Sequence, residues 1–303
     1  MTGNPLTACL LCPRRCGVDR TAGERGFCGA GERVRAARAA PHLWEEPCIS
    51  GTRGAGTVFF SSCTLGCVFC QNAQISHHAE GIELTTEQLT EVFLRLAACG
   101  VHNLELVTPT QFAPQIIEAV AQARERGMHL PILYNCGGYE LPETIRLLAD
   151  TVDVWMPDFK YADGRAAARY SGAADYPEVA QTAIDEMLAL AGPPQYDAEG
   201  LLIRGVLVRH LLLPGLLADS LHAVKQLWER YGDDVVLSLM SQYTPMPFLD
   251  GARFPALTRT VNPRHYEALC TFAAELGITR CYLQEGASAG PDCIPAFDGT
   301  GIL

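Results

Sequence analysis

Cys63, Cys67 and Cys70 stand in the segment SSCTLGCVFCQN with the spacing C-x3-C-x2-C. Three thiolates from one tight loop can wrap one face of a cubane iron–sulfur cluster. A structural zinc site would want a fourth ligand. A cluster with three protein ligands leaves one iron open, and an open position on a metal is where chemistry happens. Gly66 is read as the residue that lets this loop turn tightly. The plainer readings are a zinc loop or three core cysteines.

A second set, Cys9, Cys12, Cys16 and Cys28, has the spacing C-x2-C-x3-C-x11-C. Four thiolates suit a closed tetrahedral zinc site or a fully ligated auxiliary cluster for electron transfer. The spacing does not choose between them, and zinc is the slightly favoured reading. Cys48, in EEPCISG, is a spare ligand for this set. Cys99, Cys270 and Cys281 fall within helix or strand patterns and are expected in the core. His77 and His78 are adjacent, so their side chains point apart, and they are read as a solvated pair.

These residues need a frame. From about residue 56, short apolar runs alternate with longer amphipathic stretches. Strands are expected at 56–62, 104–107, 130–134, 152–156, 202–208, 234–240 and 278–283, and helices at 86–99, 113–127, 142–149, 176–191, 219–231 and 263–277. Thr85 and Asn262-Pro263 carry helix-entry signals, and Gly100, Gly127 and Gly277 follow helical periodicity. The alternation implies an α/β fold with a parallel sheet, and six or seven repeats imply an open or closed barrel. Ligands then bind at the C-terminal ends of the strands. The cysteine loop follows the first strand, and Asp158 and Lys160, in WMPDFK, follow the fourth. Lys160 is one of only two lysines in the chain. Residues 1–50 lack regular periodicity and read as a Cys-rich metal-binding extension before a barrel domain at 51–303.

Composition narrows the class. The chain has 303 residues, of which 48% are hydrophobic and 19% charged, enough apolar content to bury a core. The net charge of −11 disfavours a broad nucleic-acid or anionic-membrane surface. The first 40 residues run the other way, with seven arginines against Asp19, Glu24 and Glu32. Thirteen cysteines is an odd number, and nothing before Cys9 reads as a secretory signal. No apolar run reaches the ~20 residues of a membrane helix; the richest, at 201–218, is broken by Arg204, Arg209, His210 and Pro214. Metal-bound or free thiols in a reducing cytoplasm are therefore expected rather than disulfides.

The C-x3-C-x-aromatic-C pattern, with Phe69 as the aromatic, resembles the radical S-adenosylmethionine (SAM) superfamily. More narrowly, CPRRCGVDR, EEPCISG, GTVFFSSCTLGCVFCQN, VTPTQF, YNCGGYE, VDVWMPDFKY, RHLLLPG and SQYTPM resemble the relatives of the pyruvate formate-lyase activating enzyme. The resemblance implies a partial (β/α)6-type barrel and a [4Fe-4S] cluster whose open iron is chelated by the amino and carboxylate groups of SAM. Reductive cleavage of SAM then yields a 5'-deoxyadenosyl radical that abstracts hydrogen. It further implies an electron donor such as flavodoxin or ferredoxin and a protein substrate, a glycyl-radical enzyme. A small-molecule substrate is the enzymatic alternative, and a non-catalytic zinc or iron–sulfur electron-transfer module is the rival from another class. By the same resemblance Asn135, Met156 through its backbone, Asp158 and Lys160 face SAM or a monovalent cation. Asn135 replaces the family's Asp, and Thr108-Pro109-Thr110-Gln111 replaces its Gly-Gly-Glu-like motif, with Thr108 a candidate for the SAM amino group. Phe69 could stack on adenine. Arg209 could bind the SAM carboxylate, His210 could relay a proton, and Gln242 and Tyr243 could contact adenine or substrate.

Overall fold

The computed structural model describes residues 4–284 and 295–302. Ten strands build the sheet: β1 (Val34–His42), β2 (Ala55–Phe60), β3 (Ile82–Leu84), β4 (Asn103–Val107), β5 (Ile132–Cys136), β6 (Val154–Pro157), β7 (Gln195–Tyr196), β8 (Leu202–Leu211), β9 (Val236–Met240) and β10 (Cys281–Leu283). The helices are α1 (Pro47–Ser50), α2 (Ala73–Ser76), α3 (Thr86–Ala98), α4 (Ala113–Glu125), α5 (Pro142–Leu147), α6 (Gly164–Ser171), α7 (Tyr176–Ala191), α8 (Leu217–Tyr231) and α9 (Pro263–Glu275).

The strand order is β10-β9-β8-β6-β5-β4-β2-β1-β3, with β7 on β8. The run from β2 to β10 is parallel, and β1 and β3 extend it antiparallel beyond β2. This is the expected α/β frame: six βα units and a last strand, in a sheet that does not close. Both expected helix entries are made. Thr85 Oγ1 accepts from the Gln88 N–H at 3.2 Å while Gln88 Oε1 accepts from the Thr85 N–H at 2.9 Å, and Asn262 Oδ1 accepts from the Arg264 N–H at 3.0 Å.

Residues 1–50 depart from the expectation of irregular structure. β1 pairs with β2 over Ala36–His42, and residues near the C-terminal end lie against it, with Gly299 N–H donating to Ala37 O and Ala39 N–H to Thr300 O. The Ala- and Arg-rich composition of β1 carries little strand signal, so its partners define it.

Strand alternation sorts the side chains into two layers. Tyr134, Trp155, Val206, Val208, Leu237 and Leu239 pack in the large core shared with the helices. The opposite face begins with an apolar floor that includes Leu133, Val154, Met156, Leu207 and Val236. Further along the same rows stand Asn135, Asp158, Arg209 and Ser238, and these line a cavity. The register holds them level: Val107 pairs with Asn135, Asn135 with Met156, Asp158 bridges Arg209, and Arg209 pairs with Ser238.

Candidate functional site

The cavity measures about 810 Å³ and sits at the C-terminal ends of the strands. That is within the range of small-molecule sites, ~300–1,000 Å³. Cys63, Cys67 and Cys70 line one wall, with Phe69, Thr108, Asn135, Asp158, Lys160, Arg209, Gln242 and Tyr243 elsewhere on it. The spacing of the cysteines and the alternation of the strands therefore converge on one space.

Each thiol has a donor aimed at its sulfur. Ser171 Oγ reaches Cys67 Sγ at 2.9 Å, Ser76 Oγ reaches Cys70 Sγ at 3.2 Å, and the Leu65 N–H reaches Cys63 Sγ at 3.4 Å. Burial pushes all three thiols above their ordinary range, and Lys160 is the cation that counters this for Cys67. A bound metal cluster reverses the balance, because its positive charge favours the thiolates that the donors already serve. Asn72 Oδ1, two residues beyond Cys70 and in the same wall, is buried without a partner among the described residues. The donor set thus fits an iron–sulfur cluster with a polar ligand beside it. Gly66 does not turn the loop through positive φ. A Cβ there would stand 3.4 Å from Phe27 Cζ, an ordinary contact.

Beside the thiols, Asp158 and Lys160 form an ion pair. Burial works to lower the Lys160 pKa, but Asp158 and the neighbouring Cys67 hold the ammonium charged. Asn135 donates from Nδ2 to Glu105 Oε1 at 2.7 Å, and Glu105 also accepts from Thr57 Oγ1 at 2.8 Å. Burial pushes the Glu105 carboxyl up to about 8, with Glu45 adding to the effect. Thr108 holds φ at 57°, a strained conformation for a β-branched residue. Ser62, just before Cys63, holds φ at 76°. Gln111 clamps both strand ends, donating from Nε2 to Ser61 O at 2.9 Å and to Thr108 O at 2.8 Å.

Arg209 lines the cavity with its guanidinium already engaged by Glu45 and Glu46 from the segment before α1. His210, one position on, points away from the cavity and its Nδ1 meets Phe159 O at 2.6 Å. Met156 lies in the floor. Phe69 meets the Tyr243 ring edge-on at 6.4 Å.

The other cysteines sort differently from expectation in two cases. Cys48 is no spare ligand: it is buried in the floor beside Leu133 and Met156. Cys99, at the end of α3, is exposed rather than in the core. Cys270 and Cys281 pack partly buried, and Cys293 lies outside the described residues. Cys9, Cys12, Cys16 and Cys28 are near neighbours, close enough for their charges to interact. Among the described residues no three His, Cys, Asp or Glu side chains converge tightly enough to hold a single metal ion. A cubane cluster holds its thiolates at separate corners and needs no such convergence.

Glu45, Glu46, Glu105, Gln111 and Ser171 are residues of this site that sequence reasoning missed. Glu105 had a signal, an acidic residue inside the apolar strand NLELV. Gln111 and the two glutamates lay inside quoted motifs without a role.

The sequence profile of the Radical SAM superfamily matches residues 57–222. The uncharacterised protein MJ0674 of Methanocaldococcus jannaschii is 24% identical over 286 residues, covering 92% of this chain and 78% of that protein. Among solved structures, Streptococcus suis SuiB bound to S-adenosylmethionine overlays with a TM-score of 0.49 and 11% identity, over 74% of this chain and 48% of SuiB. A domain of the pyruvate-formate lyase-activating enzyme from Bacteroides vulgatus gives a TM-score of 0.40 and 11% identity, over 57% of this chain and 91% of that domain. The chain spans about half the length of SuiB. The profile runs from the first parallel strand through the cysteine loop and the next four parallel strands into α8, more than half of the sequence, and the chain belongs to the Radical SAM superfamily.

Proposed function

We propose that this chain binds a [4Fe-4S] cluster on Cys63, Cys67 and Cys70, binds SAM beside it, and cleaves SAM reductively to abstract hydrogen from a substrate. The observation that carries the reading is the meeting of the three donor-served thiols with the polar ends of the strand rows in one cavity. When bound, the cluster and SAM supply the electron and the 5'-deoxyadenosyl radical. The protein's own part is placement. Ser171, Ser76 and the Leu65 N–H orient the thiolates. The Lys160–Asp158 pair offers one charge of each sign to the amino acid end of SAM. Asn135, held by Glu105, and the strained Thr108 present polar groups from the neighbouring strands. Phe69 offers an aromatic surface to adenine. The apolar floor keeps water from the reacting atoms from below.

The finer reading is activation of a glycyl-radical enzyme, fed by a low-potential donor such as flavodoxin or ferredoxin. Its support is the set of motifs shared with the activating-enzyme relatives. Trp44 and Leu283, both exposed at the cavity rim, would give a protein substrate apolar contacts.

The test is anaerobic reconstitution with iron and sulfide, reduction, addition of SAM and measurement of 5'-deoxyadenosine. The wild type is expected to form the nucleoside and Cys67→Ala to form none. Nucleoside at an undiminished rate from Cys67→Ala would overturn the assignment.

A further inference from the structure

The barrel chemistry leaves the N-terminal thiols unused. Cys9, Cys12, Cys16 and Cys28 lie in loops pinned by backbone bonds from Cys9 N–H to Val18 O and from Gly17 N–H to Cys9 O, both 2.9 Å. One of their sulfurs receives a backbone donor, as Cys63 does: the Phe27 N–H reaches Cys16 Sγ at 3.3 Å. A neutral thiol is a weak acceptor, so such a donor suits a sulfur that carries negative charge on a metal.

Arg20 points the same way. It is 2% exposed, and its guanidinium stands 3.9 Å from Cys9 Sγ, anchored on Gly31 O and Gln111 O. Among the described residues it has no carboxylate partner. A buried cation without a counter-charge is costly, and a thiolate-ligated centre provides one.

The set also abuts the cluster loop. Arg14 donates to Thr64 O at 3.1 Å and to Gly172 O at 2.8 Å. Its guanidinium lies 3.9 Å from the centre of the Phe27 ring, and that ring stands beside Gly66, where an added Cβ would be 3.4 Å from Phe27 Cζ. Phe27 is bonded to Cys28 and Gly66 to Cys67, so the two thiol sets come near each other at this ring.

We propose that Cys9, Cys12, Cys16 and Cys28 hold a second, fully ligated [4Fe-4S] cluster that passes single electrons to the cluster on Cys63, Cys67 and Cys70. A flavodoxin- or ferredoxin-class donor loses one electron as the N-terminal cluster is reduced. That cluster is reoxidised as the electron moves on to the open one. No bond is made or broken, and no proton moves. The relay rests on the radical SAM reading; the N-terminal cluster does not.

The experiment uses the full chain, reconstituted anaerobically with iron and sulfide and freed of unbound metal. The wild type is expected to hold about eight irons, four per cluster. The Cys63→Ala/Cys67→Ala/Cys70→Ala variant keeps about four, with a reduced-state paramagnetic signal that SAM does not alter. The Cys9→Ser/Cys12→Ser variant also keeps about four, with a signal that SAM does alter, and its reduction by flavodoxin slows at least tenfold. A wild type with about four irons, or with zinc that the Cys9→Ser/Cys12→Ser variant loses, overturns the second cluster. An unchanged rate of reduction by flavodoxin overturns the relay. If the triple variant keeps its irons but the double variant's signal ignores SAM, the SAM-site reading fails while the N-terminal cluster stands.

Discussion

A carboxyl group buried without a cation is held in its neutral form, and Glu140 is such a group. Its Oε1 accepts from Thr110 Oγ1 at 2.8 Å, and burial pushes its pKa up to about 8. The unfolded chain titrates it near the ordinary carboxylate value. Between about pH 5 and pH 8 the folded protein therefore keeps a proton that the unfolded one releases, and stability falls as pH rises by up to ~1.4 kcal/mol per unit. Glu105, pushed up to about 8 as well, acts in the same direction. Glu140→Gln should lose roughly half of the slope in thermal midpoint across that window, and an equally steep slope in the variant would refute the assignment. Glu105 had a signal inside its apolar strand, but Glu140 had none. The thiols, Asn135, Asp158 and Lys160 were legible because local spacing or a strand end marks them. The setting of Glu140 depends on Thr110, 30 residues away, and the partnership of Glu46 with Arg209 spans 163 residues. Contacts at that range leave no local pattern.

At the scale of elements, legibility followed periodicity. The seven parallel strands and the six helices expected between them are marked by apolar runs, helix-entry residues and terminal glycines, so tertiary packing only trims their ends. The elements without such marks were missed. β1 is rich in Ala and Arg, and α6, GRAAARYS, opens on Gly and carries no run of large apolar residues. Yet α6 ends at Ser171, whose hydroxyl reaches Cys67 Sγ at 2.9 Å. In the cluster proposed on Cys63, Cys67 and Cys70, that bond would withdraw charge from a thiolate and so favour the reduced state. A bond worth ~1 kcal/mol corresponds to roughly 40 mV for a one-electron couple. Ser171→Ala should therefore shift the SAM-binding cluster about that far to more negative potential, read by redox titration of its paramagnetic signal. A potential unchanged or raised would mean that α6 does not tune the cluster.

Across the whole molecule, the segment before the barrel and a strand on the far side of the cavity are tied by one buried ionic cluster. The side chains of Glu45 and Glu46 are 12% and 8% exposed, and both meet Arg209. Burial opposes the Glu46 carboxylate, but Arg209 more than offsets it and holds it below the ordinary range. Removing one partner from such a cluster strands the others without counter-charge, at a cost of ~3–5 kcal/mol. For a chain of this size that is a fall of roughly 10 °C in thermal midpoint. Arg209→Ala should show it, and neutralising the stranded partners in Arg209→Ala/Glu45→Gln/Glu46→Gln should recover much of the loss, because uncharged amides are cheaper to bury than unpaired carboxylates. Measured beside the midpoint, SAM affinity separates two duties of the same side chain. If Arg209 chiefly ties the segment to β8, the triple variant regains stability and SAM affinity together. If its chief duty is the SAM carboxylate, the midpoint of Arg209→Ala stays near that of the wild type while SAM binding is lost, and restoring neutrality around Glu45 and Glu46 does not bring it back.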